Sequence, residues 1–486
     1  MKKNLSQQNG IIGGLFWTFA ERIAAQFVST LVTIVLARIL IPEHFGIISI
    51  VTVVINFLNV FVTSGFCSAL VQKKNASEED FDTAFWMSLS LSVVLYLALF
   101  FASPFIARFY KNDQLTWVLR VLGLRLIFAS LNSIQQAFIR RKMQFKKFFW
   151  ATFIGTVVSC GVGVTLAFLG FGVWALVFQY LTNVLVDTIV LFFVCGWKPR
   201  FRFTFNGAKQ IWRFGWKVLA TDLVFTIEGD IRSLIIGKVF GSSDLAFYDQ
   251  GKKYPALFVT NVNKSIQKVM LPAYSKMQDQ KQRLLSSLRK SVSIGIYVLA
   301  PLLIGFAIIS HNFVSVVLTD KWIECVPFMQ IFCFYFLTRP FESSCHQALL
   351  AIGKSGLILI IMISIHSIAL AGVIFAVFVL KSVLWIAIFS LLSTFISITL
   401  FLIFIRKYLG YTFYQVFVDV MPTMFIVFVM GIIVYRMGFI SANPVFVLIL
   451  QVLSGGATYF MLSAVFKNKS FVYLVGKTKS LLKKRK

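Results

Sequence analysis

Apolar runs of about twenty residues follow one another along nearly the whole 486-residue chain, and this most restricts what the chain can fold into. A bilayer core about 30 Å thick is crossed by roughly 20 residues of helix. Fourteen runs approach that length between charged residues, Pro and Gly. They lie near 13–38, 44–70, 83–107, 115–138, 148–169, 172–196, 211–239, 245–272, 291–318, 325–350, 355–380, 382–405, 414–437 and 444–466. Hydrophobic residues make up 58% of the chain and charged ones 13%, with a mean hydropathy of +0.83, which excludes a soluble globular domain. The expected class is an all-α polytopic membrane protein with about 14 transmembrane helices.

The charges orient those helices. Basic residues outnumber acidic ones 47 to 18. With both termini cytoplasmic, thirty basic residues fall in inner segments and seven in outer ones, as the positive-inside rule requires. Deleting either of the two weakest spans, the fourth or the eighth, would invert every later loop and spoil the separation. In this setting the excess of positive charge points to anionic membrane lipid, and nucleic acid is not expected as a partner. The opening MKKNLSQQNGIIGG lacks a convincing cleavage site before its apolar span and reads as a retained first helix. The six cysteines show no CxxC spacing, and neither a metal nor a cofactor is expected.

Ten basic residues remain inside the spans: Arg22, Arg120, Arg125, Lys217, Arg232, Lys252, Lys253, Lys264, Lys268 and Arg339. A charge at mid-bilayer costs roughly 2.5–3.5 kcal/mol on insertion scales, so these groups should face protein, water or substrate. Helical spacing gathers several of them into stripes. Thr18, Arg22, Gln26, Ser29 and Thr33 line one face of the first span. Arg125, Asn132 and Gln136 share a face of the fourth, and Asp249, Lys253, Asn261, Lys264 and Lys268 share a sector of the eighth. Together they describe a cationic cavity for an anionic substrate, with Arg22, Gln26, Arg120, Arg125, Asn132, Lys253, Lys264, Lys268 and Arg339 as the candidate contacts. Asp222, Asp230 and Glu342 are candidates for ion or proton coupling. The competing structural reading is local neutralisation, above all for the i,i+3 pair Arg339 and Glu342.

A weak repeat sets the organisation. Aligning Trp17 with Trp216 brings Leu36–Arg38 within a residue of Ile236–Lys238, at an offset of about 200 residues. Each copy opens a set of six spans, and six being even, the sets share one orientation: a parallel repeat. The expected parts are a six-helix bundle over 1–197, a linker at 198–210, a second bundle at 211–408, accessory helices at 409–466 and a basic cytoplasmic tail at 467–486.

Three motifs carry a family resemblance. LARILIPEHFG (Leu36–Gly46) resembles the turn after the first helix of bacterial polysaccharide flippases. TSGFCSALVQKK (Thr63–Lys74) resembles the end of their second helix, and AFIRRKMQF (Ala137–Phe145) is similar to a basic loop of the colanic-acid and teichuronic-acid exporter branch. The chain thus resembles Wzx-type oligosaccharide flippases of the multidrug/oligosaccharidyl-lipid/polysaccharide superfamily. The resemblance implies a V-shaped fold of two bundles, related to the multidrug antiporters of that superfamily. It also implies transport of undecaprenyl-diphosphate-linked sugar units to the outer leaflet of a bacterial inner membrane, for surface polysaccharide, beside a polymerase or export machinery. Arg and Lys suit such a head group, because they neutralise diphosphate through charge-assisted hydrogen bonds. The alternatives are a cation-coupled multidrug antiporter and a lipid II flippase. No GxxxxGK[ST] phosphate loop is present, and the connections are too short for a catalytic domain, so an enzyme is not expected.

Overall fold

In a computed structural model, the described residues are 24–73, 76–142, 144–441 and 443–483. They form α1 (Ala24–Ile39), α2 (Pro42–Gln72), α3 (Glu78–Tyr110), α4 (Gln114–Gly123), α5 (Arg125–Arg141), α6 (Phe145–Phe168), α7 (Val173–Val194) and α8 (Phe205–Val239). There follow α9 (Ser242–Ser275), α10 (Lys281–Phe313), α11 (Val326–Leu337), α12 (Arg339–Ala351), α13 (Ser355–Phe375), α14 (Val383–Leu409), α15 (Phe413–Met437), α16 (Pro444–Val465) and α17 (Lys469–Lys483). Ten spans among the described residues are long and apolar enough to cross a membrane: α2, α3, the α4–α5 pair, α6, α7, α10 and α13–α16. The other four expected segments coincide with α1, α8, α9 and the α11–α12 pair, which are not among those ten. Phenylalanines such as Phe101, Phe105, Phe193 and Phe428 stand exposed on the helices, a surface suited to lipid and unfavourable in water.

Local chemistry fixes the helix ends. Pro42 occupies the first turn of α2, where its missing N–H costs nothing. Ser77 and Asp80 close a capping box at α3, and Thr412 and Gln415 close another at α15. Two spans break at mid-length. The α4–α5 break follows Gly123, a poor helix former, and the α11–α12 break precedes Pro340, whose ring cannot continue the previous turn. An arginine, Arg125 or Arg339, stands just after each break.

The chain packs as two compact units, Met1–Ala246 and Phe247–Lys486. In the first, α2 is the hub and touches α3, α4, α5, α7 and α8. Its contact with α8 is close at both ends of the seam. A Cβ on Gly65 would lie 2.9 Å from the Gly215 carbonyl oxygen, and one on Gly237 would lie 2.9 Å from the Ile50 side chain. Gly46, from the motif after the first span, has no room for a side chain either, because the Ser242 backbone occupies that space. The segment after α7 is tied to the start of α3: Trp197 enters the core with Phe81, Phe85 and Phe138, the Arg200 amide donates to Asp82 Oδ1 (3.0 Å), and Trp86 Nε1 donates to the Arg200 carbonyl (2.8 Å). Packing therefore keeps α8 with the first unit. The six-plus-six division at 198–210 rests on the repeat and stands as a proposal.

In the second unit α10 is the hub, touching α11, α12, α15, α16 and α17. Arg289 donates two hydrogen bonds to Asp419 at 2.7 Å each, and Tyr411 adds a third at 3.0 Å. Burial and the neighbouring carboxylate push the Tyr411 hydroxyl up, which keeps it a donor. Farther along, Tyr459 donates to the Tyr297 carbonyl (2.7 Å), and Asn312 donates to Gln451 Oε1 (3.0 Å). The pair α15–α16 is thereby fastened to α10 at three levels.

Candidate functional site

A polar cavity of about 460 Å³ lies inside the first unit, among α2, α5, α7 and α8. Asn59, Thr63, Cys67 and Ser68 enter from α2, and Arg125, Ala129, Asn132, Ser133 and Gln136 from α5. Asn183, Val184 and Asp187 come from α7, and Asp222 comes from α8. A second space of about 310 Å³ shares Asn59 and continues along the α2–α8 seam past Asn56, Val60, Thr226, Gly229 and Asp230.

Side-chain hydrogen bonds hold the wall. Asn132 Nδ2 donates to Asp187 Oδ2 (3.3 Å), Gln136 Nε2 donates to Asn132 Oδ1 (3.4 Å), and Asn183 Nδ2 donates to Ser159 Oγ (3.3 Å). Gly155 on α6 lets α7 approach closely enough to hold that wall, since a Cβ there would come within 3.1 Å of the Asn183 carbonyl oxygen. Arg125 lies 5.9 Å from the Tyr180 ring centroid, a cation–π contact, and forms no ion pair among the described residues. Asn59 Oδ1 is buried with no hydrogen-bond partner there.

The structure thus brings Arg125, Asn132 and Asp222 together, with Asp230 in the adjoining space. Other expected contacts lie elsewhere. Arg120 braces α4 against α3: its Nε donates to Ser103 Oγ (3.0 Å), and its guanidinium stands 4.1 Å from the Phe100 ring centroid. Gln26 is exposed on α1 and reaches Thr30 Oγ1 at 3.4 Å. In the second unit Arg339 Nη1 bonds Glu342 Oε2 (3.1 Å), its other nitrogen bonds the Tyr335 hydroxyl, and Thr338 donates to Glu342 Oε1 (3.3 Å). Lys253 is half-buried on α9, one turn after Asp249. Arg22 lies outside the described residues, and Lys264 and Lys268 belong to α9 with side chains outside the described set.

Sequence reasoning missed the α2 and α7 walls. The signal was present in Thr52, Asn56, Asn59 and Thr63, spaced four, three and four residues along an otherwise apolar helix, and in Asn183 and Asp187, one turn apart. None of these α2 groups is ionisable, so a search for charge passed over them.

The second unit holds a different space, about 580 Å³ between α10, α15 and α16, lined by Pro301, Leu302, Phe306, Val434, Val452 and Phe460 among others. It is apolar almost throughout. The two units therefore offer unlike surroundings to any ligand.

Residues 35–327 match the model of a family described as polysaccharide biosynthesis protein. The chain belongs to that family. The motifs at Leu36–Gly46, Thr63–Lys74 and Ala137–Phe145 thus pointed the right way. Among curated relatives of this family member, the teichuronic acid biosynthesis protein TuaB of Bacillus subtilis is 25% identical over 306 residues, covering 62% of this chain and 63% of TuaB. The succinoglycan biosynthesis transport protein ExoT of Rhizobium meliloti is 26% identical over 294 residues, covering 60% and 59%. The lipopolysaccharide biosynthesis protein WzxC of Escherichia coli is 23% identical over 343 residues, covering 69% and 68%. The matches to TuaB and ExoT thus span about three fifths of those proteins. Two solved structures share the fold: the lipid II flippase MurJ in an inward closed conformation (TM-score 0.73, 14% identity, 94% of this chain and 98% of that one) and an inward-facing multidrug resistance transporter of the MATE family (TM-score 0.60, 16% identity, 79% and 95%). The all-α fold is the one these two transporters share, as expected, and the chain is a multi-pass membrane protein.

Proposed function

We propose that this protein is a flippase that moves undecaprenyl-diphosphate-linked oligosaccharide units across the bacterial inner membrane by alternating access, for surface polysaccharide synthesis. Its N- and C-termini are cytoplasmic in this reading. The observation that carries it is a hydrogen-bonding cavity enclosed by membrane helices in a chain of the polysaccharide biosynthesis family. Such a cavity gives a hydrophilic head group a path through a region where unsolvated polar groups are costly. The names of TuaB, ExoT and WzxC, all tied to surface polysaccharides, support the substrate class. No residue is assigned a catalytic role, and translocation requires no covalent step.

The diphosphate is assigned to the lysines of α9, Lys264 and Lys268, with Lys253 nearer the start of that helix. Asp222 and Asp230 are the candidates for ion coupling, since Glu342 is already engaged by Arg339 and Thr338. Changing Lys264 and Lys268 together to Ala should abolish export of lipid-linked sugar while the protein stays in the membrane. Unaltered export in that double variant would remove the diphosphate assignment.

The second reading is a cation-coupled antiporter, favoured by one observation: two carboxylates and several amides converge in the first-unit cavity. Resistance to cationic dyes on expression, without any export of lipid-linked sugar, would establish it.

A further inference from the structure

The charge balance of the first-unit cavity differs from that of a diphosphate site. Among the described residues, one guanidinium, Arg125, lines the cavity with two carboxylates, Asp187 and Asp222, and the rest of that polar lining is mainly amide and hydroxyl. A diphosphate offers only acceptors and carries negative charge, so it needs donors and cations in excess. Here the carboxylates would repel it, and in a water-poor cavity that repulsion is weakly screened.

A sugar ring makes the opposite demand. Each hydroxyl both donates and accepts, so it is best met by a mixed wall. Asn59 Oδ1 is a buried acceptor with no donor, Asp187 and Asp222 accept strongly from hydroxyls, and Thr63 and Gln136 supply further polar groups. Tyr180 places an aromatic ring 5.9 Å from the Arg125 guanidinium. The volume of about 460 Å³, continued by about 310 Å³ along the α2–α8 seam, falls within the range that encloses small ligands.

We propose that this cavity is a subsite for an uncharged sugar of the lipid-linked head group, and that Asp187 and Asp222 select against uronates and other acidic sugars. The inference rests on the transport reading and names what one part of the site accepts. Specificity here comes from repulsion as much as attraction, because an added carboxylate on the sugar would meet two already in place.

The test uses purified full-length protein and two synthetic undecaprenyl-diphosphate disaccharides with the same first sugar, the second being a hexose in one and a hexuronate in the other. In liposomes the neutral lipid should be translocated at least about tenfold faster. Because Asp222 is also a candidate for ion coupling, Asp187→Asn combined with Asp222→Asn is read by binding of the two lipids in detergent, where it should shrink the preference to within about threefold by gaining on the uronate. Asn59→Ala, which removes an uncharged amide with its acceptor and donor, should weaken binding of the neutral lipid severalfold in detergent, and it serves if the double variant fails to fold. Equal handling of the two lipids by the wild type would overturn the proposal, as would an unchanged ratio in the double variant. A Na⁺ dependence of transport that vanishes in the double variant while the sugar ratio persists would assign the carboxylates to a cation and overturn it too. If neither lipid is translocated, the transport reading fails, and binding of the same two lipids in detergent still decides the subsite: a tenfold preference upholds it and equal binding rejects it.

Discussion

Arg125 and Arg339 stand at matching points of two broken spans, and their surroundings differ. Each follows the break directly, and each sits five residues before a serine that ties its helix to a neighbour. Ser130 is hydrogen-bonded to Ser92 of α3, and Ser344 to Ser291 of α10, both at 3.0 Å. Beyond that frame the likeness stops. Arg339 has Glu342 one turn away and Tyr335 beneath it, so its charge is met within its own segment. Arg125 faces a cavity whose carboxylates come from α7 and α8. We propose accordingly that Arg339 serves the scaffold and that Arg125 meets the transported head group.

The comparison can be broken where the scaffold side is strongest. Glu342→Ala leaves a half-buried guanidinium with one partner fewer and should cost about 1.5–3 kcal/mol, read as a lower melting temperature in detergent. An unchanged melting curve would show that the pair does not hold α12. On the cavity side, Gly155→Val forces α6 away from Asn183 and Asp187 and should cost about 1–3 kcal/mol. It should also reduce export at temperatures where the protein remains folded, and full export would show that the α7 wall is not needed. The shared frame is tested by Ser130→Ala and Ser344→Ala. Each removes the buried hydrogen bond to the neighbouring helix, Ser130→Ala also losing the local bond to the Ile127 carbonyl, and each should cost about 1 kcal/mol, with similar losses. Markedly unequal losses would mean that the two breaks are not equivalent. Gln26→Ala, at an exposed residue of α1, should change stability by less than about 0.5 kcal/mol.

Much of this was legible in the sequence. The segments near 44–70 and 83–107 became α2 and α3 because apolar length at this scale leaves few alternatives. The polar faces of the fourth and eighth spans were visible because charge in an apolar helix stands out. The stripe from Arg125 to Gln136 does line a cavity, and among the described residues the acids Asp187 and Asp222 line it as well. Asp187 meets neighbours on α2 and α5 that come from distant parts of the chain, and no local pattern joins them. The contact of Gly65 with Gly215 was hidden for a related reason. A glycine in a helix shows only that a close approach is tolerated, and its partner depends on the packing of α2 with α8.

In this proposal the head group is handled at Arg125 and not at Arg339. The most direct measurement is the rate at which purified protein in liposomes translocates undecaprenyl-diphosphate carrying a neutral disaccharide, comparing Arg125→Ala with Arg339→Ala plus Glu342→Ala. The double change removes both members of its pair and so leaves no unmatched charge. The prediction is a loss of at least about tenfold for Arg125→Ala and a rate within about twofold of wild type for the double variant. The reverse order, with the double variant inactive and Arg125→Ala unimpaired, would contradict it.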